Sequence, residues 1–143
     1  MAEKPPMSGA PMSQALRERW RELRQKLLRL HQTLLEMERE NFERRFGRVT
    51  SGELLQLVIN HTQFAWLRRI SDLAAQVDEM LDSAEPATLS ERQSLLAQAR
   101  ALLTPSATED EFSEKYQAAL QREPAAVMAH AEAIKLLAAG VEA

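Results

Sequence analysis

Between residues 16 and 37 the apolar positions recur at alternating steps of four and three: Leu16, Trp20, Leu23, Leu27, Leu30, Leu34 and Met37. That spacing is a heptad seam, a narrow stripe of helix turned toward a partner helix. Asn41 and Arg44 occupy the next two seam positions, so the stripe closes there. Phe42 and Phe46 carry apolar surface onto a neighbouring face, and Gly47 supplies a stop. Glu22 with Lys26, and Glu40 with Arg44, stand four apart in the favourable order on the outside. The pattern predicts a first helix over residues 13–46.

A capping box of Thr50 with Glu53, stapled by Val49 and Leu54, opens a second helix over residues 50–82. A connection this short makes the two helices antiparallel neighbours. The first half of the second helix is apolar on nearly every side: Leu54, Leu55, Leu57, Val58, Ile59, Phe64, Trp66 and Leu67. A helix greasy all round is expected to be buried all round, at the centre of the core. Its second half narrows to a stripe of Ile70, Leu73, Val77, Met80 and Leu81.

Three shorter helices follow. Ser90 with Gln93 caps one over about 90–103, and Thr104-Pro105-Ser106 ends it. Thr108 with Glu111 caps the next, about 109–122, with Phe112, Tyr116, Ala119 and Leu120 inward. Pro124 suits the first position of the last, which carries Val127, Met128, Ala131, Ile134, Leu137 and Val141. No repeat period links these segments. The fold class is therefore all-α: a helical bundle built on a long antiparallel helical hairpin plus three shorter helices. It forms a single domain, 13–143, behind a tail at 1–12 expected to be disordered. At 1.5 Å per residue each long helix would run ~50 Å, more than three short helices can cover. The stretch from Leu16 to Leu27 is the part expected to stand open.

Composition narrows the chemistry. Zero cysteines exclude disulfides and thiol catalysis, and four glycines are too few for a strand-rich fold. No apolar run approaches the roughly 18 residues of a membrane span. The N-terminus has Pro5, Pro6, Gly9 and Pro11 but no apolar signal core, so a cytoplasmic location is expected. Net charge is −3 but unevenly spread. Residues 1–48 hold 11 Lys/Arg against 7 Asp/Glu, +4; residues 49–89 hold 2 against 6, −4; residues 90–143 hold 5 against 8, −3. A basic helix beside acidic ones packs well within one fold, and it can equally dock an acidic partner.

Nothing here spells catalysis. His31, His61 and His130 lack the Glu-x-x-His and HExxH spacings of metal sites, and no elbow presents a nucleophile. No catalytic residue, cofactor or metal is assigned, and the chain is read as a non-enzyme. Trp20 and Trp66 sit at seam-like positions and read as packing residues. His61, Phe64 and Trp66 are the weak candidates for a ligand pocket. The sharper candidate is an interaction surface on the first helix, where Leu16, Trp20, Leu23 and Leu27 run between Arg17, Arg21 and Arg24 on one flank and Arg19 and Lys26 on the other. Arginines on both edges of a leucine seam suit a helix–helix interface, with a protein partner or a homo-oligomer, a dimer first. Replacing Leu23 and Leu27 by Asp should then dissociate the dimer and leave the core folded. A small-ligand- or nucleic-acid-binding bundle is the alternative. A pI near 5.7 argues against nucleic acid, and the narrow stripe argues against a membrane-surface helix.

The segments FAWLRRISDLAAQVDEMLD, RALLTPS and EFSEKYQAALQREPAAVMAH resemble a group of uncharacterised bacterial helical proteins, over about residues 40 to 138. The resemblance implies a bacterial, cytoplasmic helical protein and brings no activity, cofactor or site residue with it.

Overall fold

The computed structural model describes residues 10–104 and 110–142. Residues 1–9 of the tail predicted at 1–12, the 105–109 connection and the Thr108 cap lie outside the described residues, while Met12 packs against the core. Every regular element is helical: α1 (Gln14–Phe46), α2 (Ser51–Asn60), α3 (Thr62–Ala65), α4 (Arg68–Asp82), α5 (Leu89–Leu103), α6 (Glu111–Arg122) and α7 (Pro124–Ala139). The all-α class and the absence of a membrane-length apolar helix hold among these residues.

α1 is the continuous helix its heptad spacing predicts. Ser13 caps it by accepting the Leu16 N–H, and Arg44 and Arg45 in its last turn suit the negative end of the helix dipole. Gly47 ends it at φ +91, a backbone conformation that costs glycine least. The next segment departs from expectation. Residues 50–82 are not one helix but three, and the break falls at His61, whose backbone is extended (φ −92, ψ 134).

The reason is local. Asn60, His61 and Thr62 are three consecutive weak helix formers, and the His61 Nδ1 accepts the Gln63 N–H at 3.0 Å, capping α3 as a side-chain oxygen would. The carbonyl of Ile59 accepts a hydrogen bond from the Arg68 guanidinium at 2.9 Å. Gln63 crosses to α1 and donates to the Glu38 carbonyl at 3.2 Å. Groups that an unbroken helix would have paired internally are thus satisfied from outside it. α3 passes into α4 through Trp66 and Leu67, both in the right-handed helical region. The true division is at His61.

The core lies only partly where expected: of the segment read as its centre, Phe64, Trp66 and Leu67 are buried. α4 and α7 flank α1, α5 packs on α4 and α7, and α6 packs on α7. α1 contributes Trp20, Leu23, Leu27, Leu30 and Leu34; α4 contributes Ile70, Leu73, Ala74, Val77 and Leu81. α7 offers Ala126, Ala129, Ala133 and Leu137, small side chains that let its backbone approach α1 closely. The leading stretch of the predicted central helix, now α2, has no buried residue at all. Hydrophobicity all round brought only partial burial: Leu54, Leu57 and Val58 pack partly against the core, while Leu55 and Ile59 face solvent.

Two caps also sit differently. α5 begins on Thr88, which accepts the Glu91 N–H, two residues before the predicted Ser90. α6 begins on Asp110, whose carboxylate accepts the Ser113 N–H at 2.7 Å and is held below the ordinary range by those hydrogen bonds. Thr50 with Glu53 forms its capping box as predicted, and Pro124 opens α7.

The C-terminal residues fasten the bundle. Gly140 at φ +90 turns the chain so that Val141 is fully buried. The Val141 carbonyl accepts from Arg19, and the Glu142 carboxylate accepts from Trp20 Nε1 at 2.9 Å and from Arg92 at 2.6 Å. Trp20 is thereby the joint of three elements. Trp20→Phe keeps most of the ring volume but removes a hydrogen bond to a charged acceptor, and should cost about 1–3 kcal/mol in urea unfolding.

Candidate interaction surface

The residues first singled out on α1 are not an open surface. Trp20, Leu23 and Leu27 are fully buried, and Leu16 is partly buried against the same core. α4 and α7 cover the seam, so three shorter helices suffice: with the second long helix broken, its C-terminal part lies fully along α1. The flanking cations are engaged too. Arg17 donates to the Leu81 carbonyl at 2.7 Å, and Arg24 pairs with Asp78. Lys26 and Arg29 both reach Glu132, at 3.6 and 3.7 Å. Arg21 is half-buried with no ion pair among the described residues. The basic helix is matched within the fold by acidic groups on α4 and α7. Exposed pairs of this kind add little stability each, but they leave few spare cations on that face.

The pocket candidates separate as well. Phe64 and Trp66 are buried in the core, where Trp66 stacks toward Phe112 at 5.7 Å. The half-buried Glu38 carboxyl faces Gln63, Asn41 and Trp66 without reaching hydrogen-bond geometry at the buried indole N–H. Burial holds Glu38 above the ordinary carboxylate range. Of the three, His61 alone reaches a cleft, and no common cavity among the described residues joins them.

Among the described residues no three His, Asp or Glu side chains converge as a metal site would require. A groove of about 770 Å³ lies between α4, α5 and α6, with Arg69, Asp72, Gln76, Arg100 and Asp110 at its walls. Arg69 and Asp110, both in its lining, pair at 3.2 Å. The hydrogen-bonded pair of Tyr116 Oη and His130 Nδ1, 2.6 Å apart, is structural. Tyr116 is buried, and burial pushes its hydroxyl well above the usual range, so it stays protonated; which partner donates follows the His130 tautomer.

That pair has a pH consequence. Burial holds both His130 and His31 below the ordinary value of 6.5. The folded protein therefore takes up these protons less readily than the unfolded chain. Stability from this source is full above pH 6.5 and falls as pH drops below it, levelling once the lower native values are passed. Protonated His130 donates from Nδ1, and the Tyr116 hydroxyl oxygen accepts. Glu38 has the opposite sign, adding stability as acid protonates it. Urea midpoints from pH 8 to pH 5 should decline, and the decline should flatten in a His31→Gln, His130→Gln variant.

What does stand open is the other end of the α1–α2 connection. Phe46 is 62% exposed, Leu55 58% and Ile59 51%. Leu55 and Ile59 are one turn apart on α2, so they share its outer face. Leu54, Leu57 and Val58 form the inner face, half-packed against the core. Between that face and the end of α1 lies a cleft of about 440 Å³, walled by Phe42, Val49, Leu57 and His61 with Glu53 and Gln56 at its mouth. Phe42 links its two sides, 4.8 Å from Phe46 and 5.5 Å from His61 between ring centres. The connecting loop is held: the Val49 N–H donates to the Glu43 carboxylate at 2.9 Å, and Arg39 donates to the Val49 carbonyl at 3.1 Å. Val127 and Met128, at the α6–α7 turn, make a second and smaller apolar spot.

Sequence reasoning missed this surface although every residue of it was in view. The missing signal was the Asn60-His61-Thr62 run, which reads as a break once three weak helix formers are counted together.

No known protein family, curated protein or solved structure matches this chain.

Proposed function

We propose that this protein is a non-enzymatic helical bundle that works by protein–protein contact, through the surface formed by α2 and the end of α1. One observation carries the reading: α2 is an apolar helix with no buried residue, held beside a finished core. Exposed apolar helices are costly to solubility and are kept where a partner covers them. The α1 seam has no such need, since the chain's own helices bury it. A bacterial, cytoplasmic setting is part of the same proposal. Of its three candidate residues, the small-ligand alternative keeps only His61, at an open cleft whose polar lining is Glu53, Gln56 and Asn60.

The test is a photo-crosslinking amino acid placed at Leu55, at Ile59 and, as a control, at the exposed Gln93 on α5, in cells expressing the full chain. Adducts specific to positions 55 and 59, lost when Phe46→Ser is added, support the reading. Equal labelling at Gln93, or none at either α2 position, overturns it.

A further inference from the structure

The charge around this surface says more about its partner. Residues 44–69 hold five arginines, Arg44, Arg45, Arg48, Arg68 and Arg69, against the single carboxylate of Glu53, a local net of +4 in a chain whose total is −3. Of the five, Arg69 is paired with Asp110. Arg68 is engaged by the Ile59 carbonyl. Arg44, Arg45 and Arg48 are exposed and have no carboxylate partner among the described residues; Arg45 lies over the Phe46 ring at 5.3 Å. On the first half of α1 nearly every cation is matched by an acidic or carbonyl group, so this end is where positive charge is left over. It is left over at the end of α1, beside the exposed Phe46, where Glu111 and Lys115 line the same surface as Arg45.

Resting on the reading that α2 is a protein contact site, we infer that its partner is an acidic amphipathic helix of another protein. The apolar face of that helix would lie on Phe46, Leu55 and Ile59 and its carboxylates against Arg44, Arg45 and Arg48. A helix laid in an apolar groove with charges at its rim is a recurring mode of recognition, in which the charges choose the partner and the apolar contacts hold it. Two apolar residues one turn apart on α2, with a cleft beside them, match the i, i+3 and i+4 anchors of such a ligand. A second copy of this chain fits less well. A two-fold contact through the same patch would bring two surfaces of net positive charge together, which charge repulsion disfavours. The carboxamides and carboxylate at the cleft mouth favour a protein over a lipid surface.

The test uses the full chain and a synthetic amphipathic peptide with leucines on one face and glutamates on the other. A matched peptide with lysine for every glutamate, and vesicles of phosphatidylglycerol with phosphatidylcholine, serve as the other arms. The glutamate peptide should bind and perturb the amide resonances of residues 42–61. The lysine peptide should bind at least about tenfold more weakly. Arg44→Glu with Arg45→Glu and Arg48→Glu should invert that preference, and Ile59→Ser should weaken both, with helicity unchanged by circular dichroism. Equal binding of the two peptides, or none, overturns the acidic partner while leaving the crosslinks at Leu55 and Ile59 to stand or fall separately. Binding to vesicles alone overturns the acidic partner and counts against the protein-contact reading too.

Discussion

Leu23→Asp and Leu27→Asp are each expected to unfold the protein rather than to split a dimer. Both leucines are fully buried on α1, between α4 and α7. Removing such a side chain alone costs about 2–5 kcal/mol. Placing a carboxylate there adds several more, because no cation stands within the core to pair with it and all buried residues among those described are apolar. Set against a typical stability of roughly 5–15 kcal/mol, either change should leave little folded protein at 25 °C. Circular dichroism and a urea titration read this directly. A folded variant that merely ran smaller on size exclusion would restore the α1 seam as an interface.

Leu55→Asp with Ile59→Asp is expected to do the reverse. Both positions face solvent on α2, so the unfolding free energy from urea titration should change by no more than about 0.5 kcal/mol for each substitution. Crosslinking from a probe at Phe46, and binding of the glutamate peptide, should fall at least about tenfold, since hydrophobic anchors at the centre of a contact dominate its energy. Val58→Asp is the internal control. Its side chain belongs to the inner face packed on the core, and the same charge there should destabilise. If the outer pair destabilised the protein as much as Val58→Asp, α2 would be part of the core after all.

The contrast between these two substitutions marks what periodicity can and cannot reveal. The heptad spacing of α1, the stripe from Ile70 to Leu81, the Thr50–Glu53 box and the Pro124 start were legible, because each depends on residues near one another along the chain. Which helix covers the α1 seam was not, since that depends on where α2 points. The direction turns on His61, whose ring caps the following helix instead of continuing the preceding one. The local sign of the break is the run of three weak helix formers, Asn60, His61 and Thr62. The hydrogen bonds that stabilise the break here, from Arg68 to Ile59 and from Gln63 to Glu38, join residues 9 and 25 apart in sequence and leave no local trace. The charge asymmetry was legible in outline. Its division into matched cations on the first half of α1 and unmatched ones beyond Arg39 required the fold.

The central claim is that α2 stands outside the core with its apolar face free for a partner. Amide hydrogen exchange on the dilute, isolated chain tests it most directly, because protection follows the contacts each helix makes. The amides of α2 should exchange far faster than those of α1, α4 and α7. Protection of α2 equal to that of α4 under the same conditions would place it in the core and contradict the account.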